Sequence, residues 1–161
     1  MTSIVSTRFN NATWQQNLEY RAKVAAGCVY GSPQAITSTI KKDGAVFVLE
    51  MNNDRNAIEG VGLIRNKPLT DKYYRVYNNG NYNRYVYKSK YHVAREDLVR
   101  YNPLLVEAMD YILFKEKTHL KRGAGFLTVP EKLLKHERCR AMDVCAELRS
   151  IFLSVYRLDK S

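Results

Sequence analysis

The chain has 161 residues, enough to bury a real core and short enough that one domain spanning residues 1–161 is expected. Hydrophobic residues make up 45% and charged ones 26%, which excludes wholesale disorder, and a net charge of +10 points to a polyanionic partner. Three cysteines without a C-x-x-C pair, no apolar run of membrane-spanning length and no apolar leader core at the start predict a soluble intracellular protein with no membrane partner.

The first predicted element is a helix opening at Thr13. Thr13 and Gln16 have capping-box spacing, Trp14, Leu18, Ala22 and Ala25 form one stripe, and Gly27 is placed to end it. Gly31, Ser32 and Pro33 read as a turn, followed by a short helix or strand through Ile40 and a second turn at Lys41-Lys42-Asp43-Gly44. Residues 45–51 and 58–64 are β-rich runs flanking Asn52-Asn53-Asp54-Arg55-Asn56, which predicts a hairpin. A second hairpin is predicted from residues 73–77 and 82–93, joined by Asn78-Asn79-Gly80-Asn81, because Asn-Gly is a strong two-residue turn signal.

Helices return after Val93. Asn102 followed by Pro103 reads as an N-cap with proline at N1, opening a helix with Leu105, Met109, Ile112 and Leu113 on its apolar side. Residues 118–129 form a loop around two glycines. Thr128 and Glu131 have capping-box spacing for a last helix that carries Leu134, Ala141, Cys145, Leu148, Phe152 and Val155 on one face. The expected fold is α+β: a curved antiparallel sheet of four to six strands, covered by an N-terminal and a long C-terminal helix.

Two stretches carry functional chemistry. If residues 82–93 form one strand, Tyr85, Tyr87, Ser89, Tyr91 and Val93 share the core face, and Arg84, Val86, Lys88, Lys90 and His92 share the other. Between Lys72 and Arg95 no acidic residue interrupts the basic ones, so this face is a positive strip, with Tyr82 or Tyr77 at its edge to stack on unpaired bases. The second stretch is His119-Leu-Lys-Arg-Gly-Ala-Gly-Phe126. Gly123 and Gly125 allow a phosphate close to the backbone, and Lys117, Lys121 and Arg122 neutralise it. The spacing fits neither a Walker A loop nor a dinucleotide fingerprint. These residues predict nucleic-acid binding, to DNA or RNA.

Catalytic constellations are scarce. His136 and Cys139 stand at i, i+3, but Cys145 falls off that spacing, and solvated histidine with buried cysteine is the plainer reading. Glu50, Asp54 and Glu59 bracket the first hairpin and are the acids a metal-dependent nucleic-acid enzyme would use. No enzyme, metal or cofactor is expected; a structural or interaction protein of a virion is the other alternative. A homodimer is compatible with the apolar helical face.

The stretch Gly44-Ala-Val-Phe-Val-Leu-Glu-Met-Asn-Asn-Asp-Arg-Asn-Ala-Ile-Glu-Gly-Val-Gly-Leu-Ile64 resembles the heart of the PUA-like superfamily, including EVE and YTH domains. The resemblance covers roughly residues 29–93. It implies a small curved β-barrel flanked by helices that binds RNA or modified DNA. YTH domains cage a methylated base with tryptophans, and here the one tryptophan, Trp14, lies on the predicted N-terminal helix, so no cage residue carries over. Residues 82–92 and 114–126 also look like stretches of uncharacterised proteins of large DNA viruses. That similarity implies a virus-encoded protein acting in the host cell cytoplasm or nucleus, or packaged in the virion.

Overall fold

The computed structural model describes residues 2–116 and 118–157. The chain begins with a strand, β1 (Ser3–Phe9), favoured by its β-branched run Ile4-Val5 and Thr7. A helix, α1 (Asn11–Val24), follows at once. Its N-cap is Asn10, three residues before the predicted start, and the capping box joins Asn10 to Thr13 rather than Thr13 to Gln16. Ala25, at φ 53°, takes the left-handed position expected of Gly27. Gly27 is needed for a different reason: a Cβ there would run into the Lys90 carbonyl.

The stretch read as a turn at Gly31 and Ser32 is instead part of β2 (Cys28–Ser32), which is buried throughout. Residues 33–40 carry no regular element. The predicted hairpin is present as β3 (Ala45–Asn52) and β4 (Ala57–Arg65), with a bulge between Glu50 and Met51. The second predicted hairpin is not. Residues 73–77 form no strand, and the run 82–93 divides into a 3-10 turn (Gly80–Asn83), β5 (Tyr85–Ser89) and β6 (Tyr91–Ala94). The buried Asn83 explains the difference. Its Oδ1 accepts from the Val76 and Tyr77 amides, and its Nδ2 donates to the Tyr77 carbonyl, so one side chain replaces the ladder a partner strand would supply.

The helical half runs through α2 (Arg95–Tyr101), α3 (Pro103–Phe114), a short edge strand β7 (Leu127–Thr128), α4 (Glu131–Leu134) and α5 (Val144–Tyr156). The start of α3 is as predicted: Asn102 Oδ1 accepts from the Leu105 amide, Pro103 occupies the first turn, and Leu105, Met109, Ile112 and Leu113 are buried. The single long C-terminal helix is broken. Arg140 and Ala141 adopt left-handed backbone at φ 53° and 60°, and Asp143 starts a new helix by accepting from the Ala146 amide. Thr128 caps nothing; it belongs to β7.

The five-stranded sheet has the order β6-β4-β3-β1-β7. It is mixed rather than antiparallel, because β1 lies parallel to β3, and β1 rather than a hairpin strand sits inside the sheet. β2 and β5 form a separate antiparallel ribbon, so the sheet is not a closed barrel. Side-chain alternation sends Phe47, Leu49 and Met51 to one face, under α2, α3 and α5, with the Phe47 and Phe152 rings 5.3 Å apart. Val46 and Val48 face the other way, into a second core made with the β2–β5 ribbon, Tyr74, Val76 and Tyr77, against which Trp14 of α1 packs. The architecture is α+β, with helices on one face of the mixed sheet and the ribbon and α1 on the other. Among the described residues no helix is long and apolar enough to cross a membrane.

Candidate nucleic-acid interface

The parallel pair β1 and β3 ends on the same side, and there the chain opens into a cleft of about 460 Å³. Its wall takes Arg8 and Phe9 from the end of β1, Asn10 and Gln16 from the start of α1, and Asn53 from the turn after β3. The other wall is built by Tyr77, Asn78, Asn79 and Tyr82 on one side and by Gly123, Ala124 and Gly125 on the other. A crevice beyond the carboxyl ends of parallel strands is where open α/β sheets commonly bind ligands. No carboxylate lines this one among the described residues, and Arg8 is its charged member.

Arg8 is the residue that shapes it. Its Nη1 donates to the Leu120 carbonyl at 2.8 Å and to Ser6 Oγ at 3.1 Å, and its Nη2 donates to the Gly125 carbonyl. The guanidinium therefore ties the loop 120–125 to the central strand. Burial lowers the Arg8 pKa to about 10, which leaves it charged at neutral pH. Asn53 ties the same loop, donating from Nδ2 to the Lys121 carbonyl at 2.8 Å.

The two glycines serve packing. A Cβ on Gly123 would strike Leu127, and the Gly123 amide is engaged by the Leu120 carbonyl. Gly125 has φ +69°, and a Cβ there would strike Ser32 Oγ. Gly125→Ala is expected to lower stability by about 1–2 kcal/mol from the left-handed backbone alone, read as a shift in the thermal unfolding midpoint.

The predicted site residues separate into groups. Tyr82, Gly123 and Gly125 meet at the cleft, and Lys121 and Arg122 are exposed in the loop that forms its edge. Arg84, Lys88 and Lys90 are exposed along the segment leaving Tyr82, with Lys88 Nζ 5.8 Å from the Tyr74 ring and Lys90 Nζ 5.2 Å from the Tyr91 ring. Val86, expected beside them, is buried in the second core. His92 does not join the strip. The run changes sheets at Lys90, β5 pairing with β2 and β6 with β4, and His92 turns toward the interior. Lys117 lies outside the described residues.

His92 belongs instead to a buried polar cluster between the sheet and the ribbon. Glu50, without solvent exposure, accepts from Arg21 Nη2 at 2.7 Å and from the Tyr30 hydroxyl at 2.5 Å, and His92 Nε2 lies 2.9 Å from its other oxygen. Burial would raise the Glu50 pKa, but His92 and Arg21 outweigh it and bring it down to about 2. Burial and the neighbouring carboxylate push the Cys28 thiol up to about 12, so it is unreactive near neutral pH. Gly62 makes room for the cluster, since a Cβ there would meet the Tyr30 hydroxyl and Cys28 Sγ.

The acids considered for a metal do not converge. Glu50 is held in that cluster, Asp54 accepts from the Asn11 amide at 2.8 Å, and Glu59 accepts from Asn52 and Arg55. His136 pairs with Glu116 at 2.8 Å while the Cys139 thiol donates to the Leu133 carbonyl. Among the described residues no three His, Cys, Asp or Glu side chains are grouped to hold a metal ion.

Arg8, Asn10, Gln16 and Asn53 were not predicted as site residues. Their one sequence signal is a lone arginine in the β-branched run Ile4-Val-Ser-Thr-Arg-Phe9; the rest depends on β1 pairing with β3, which leaves no local mark. No family model, curated protein or solved structure matches the chain.

Proposed function

We propose that this is a non-catalytic nucleic-acid-binding protein whose contact surface is the cleft and its basic edge. The observation that supports it most is the meeting of Tyr82 with the glycine loop in one carboxylate-free cleft, flanked by exposed Lys121 and Arg122 in a chain of net charge +10. Cations at the edge would position phosphates and carry the salt dependence, while a Tyr82 ring in the wall would stack on a base. Arg84, Lys88 and Lys90 would extend the phosphate track. A PUA-like relationship is part of this proposal and rests on the β3–β4 hairpin.

Salt-titrated binding to single-stranded DNA, single-stranded RNA and duplex DNA tests the proposal. Replacing both Lys121 and Arg122 by Glu is expected to weaken binding at least tenfold and to reduce the salt slope by about 2, one unit for each phosphate contact. An unchanged slope removes the loop from the interface. Should no nucleic acid bind more tightly than a generic basic protein of equal charge, the structural or interaction reading replaces it. The exposed Val99, Tyr101 and Leu104 where α2 meets α3 would then be the surface to examine.

A further inference from the structure

Tyr73 is 65% exposed, more than any other large apolar side chain among the described residues, yet it is not free to swing. Its hydroxyl accepts from Asn83 Nδ2 at 3.0 Å and lies against Gly80, where a Cβ would come within 3.5 Å of it. Asn83 is itself fixed. It is 4% exposed, and its side chain also accepts from the Val76 and Tyr77 amides and donates to the Tyr77 carbonyl. The ring is therefore held by its polar tip while much of its apolar surface stays in water. A single exposed apolar side chain is ordinary on a protein surface. The anchoring sets this one apart, because the freedom that a side chain must give up on binding is already gone in the folded protein.

The surroundings of the ring suit an anionic strand. Lys72 and Arg75 lie on either side of it in the chain and are exposed, and Arg84, also exposed, follows the anchoring Asn83. The nearest acid in the chain, Asp71, accepts from the Tyr74 hydroxyl at 2.6 Å. Asn83 also follows Tyr82, which lines the cleft. One short turn thus sets the position of two tyrosines, one in the cleft and one outside it. Stacking needs a base with an open face. Bases inside a duplex already lie between their neighbours, whereas those of a single strand have faces to offer. We infer that Tyr73 is a second base-stacking residue, outside the cleft, and that the ligand is accordingly a single-stranded nucleic acid. The inference rests on the nucleic-acid reading above and names the strand class of the same surface.

Binding by two variants to three ligands tests it. Tyr73→Ala is expected to weaken binding to a single-stranded oligonucleotide at least about fivefold and to leave its salt slope unchanged, since a ring is lost and no cation. Tyr73→Phe keeps the ring and is expected to bind within about twofold of wild type. An abasic strand of the same length keeps the phosphates but has nothing to stack, so wild type and Tyr73→Ala are expected to bind it alike, and duplex DNA alike. Single-strand binding unchanged by alanine, a loss that phenylalanine shares, or an equal loss on the abasic strand or the duplex overturns the stacking role and leaves general binding standing. Absence of wild-type binding to every nucleic acid overturns both.

Discussion

Glu50→Gln is expected to destabilise the protein by about 3–5 kcal/mol, the range for removing one partner of a buried ion pair. Arg21, buried and with its Nε already unpartnered, would lose its counter-charge, and the amide would turn an NH2 toward groups that now donate to a carboxylate. Urea unfolding followed by the fluorescence of Trp14 measures the effect; a loss under 1 kcal/mol would mean the cluster does not hold the ribbon to the sheet. The pH dependence follows from the depressed pKa of Glu50. Its stabilising contribution is complete above the ordinary carboxylate value of 4.5 and is lost as pH falls toward about 2. The variant is therefore expected to show a flatter acid limb between those values. Replacing Arg21 and Glu50 together by Met and Leu is expected to be milder than either single change, since the guanidinium and the carboxylate then leave together and neither is buried without the other.

Asn83→Ala is expected to lower stability by about 2–4 kcal/mol, because it leaves the Val76 and Tyr77 amides and the Tyr77 carbonyl without partners in a buried setting. Asn83→Asp separates the two halves of the role: the acid still accepts from both amides but cannot donate to the Tyr77 carbonyl or the Tyr73 hydroxyl. It should fall between wild type and alanine in the same unfolding measurement. The change also reaches the cleft, since Asn83 positions the backbone of Tyr77 and follows Tyr82 directly. Binding is expected to weaken in the alanine variant even at temperatures where it stays folded.

How much of the fold can be read from the sequence follows from how local each cause is. The β3–β4 hairpin and the start of α3 are written in adjacent residues: alternation with an asparagine-rich turn in one case, Asn102-Pro103 in the other. The Asn-Gly signal at residues 79–80 misleads because Asn83, three residues on, captures the backbone that would have paired. The last helix looks continuous because its apolar spacing survives the break, and nothing nearby announces the left-handed Arg140 and Ala141. β1 escapes detection because its partner β3 lies more than forty residues away, with no turn signal joining the two, and the buried Ser6 interrupts its apolar run. For the candidate site, the two stretches that meet were legible as basic, glycine-rich and aromatic. The amides and Arg8 that complete the cleft were not, because a parallel pairing across more than forty residues brings them there.

The grip of Arg8 on the loop 120–125 has a consequence in time. Ser6 and its neighbour across the sheet, Leu127, are 121 positions apart, so closing that contact costs about 4 kcal/mol of chain entropy before any constant term. At ordinary rates of synthesis the second partner emerges about 6–24 s after the first. Until then β1 has no neighbour on its outer edge and the cleft lacks the side that Gly123, Ala124 and Gly125 supply. The hairpin can form early, whereas the surface proposed to meet nucleic acid comes into being only when both ends of the polypeptide have found each other. A chain still being made would thus carry its positive charge before the cleft beside it is complete.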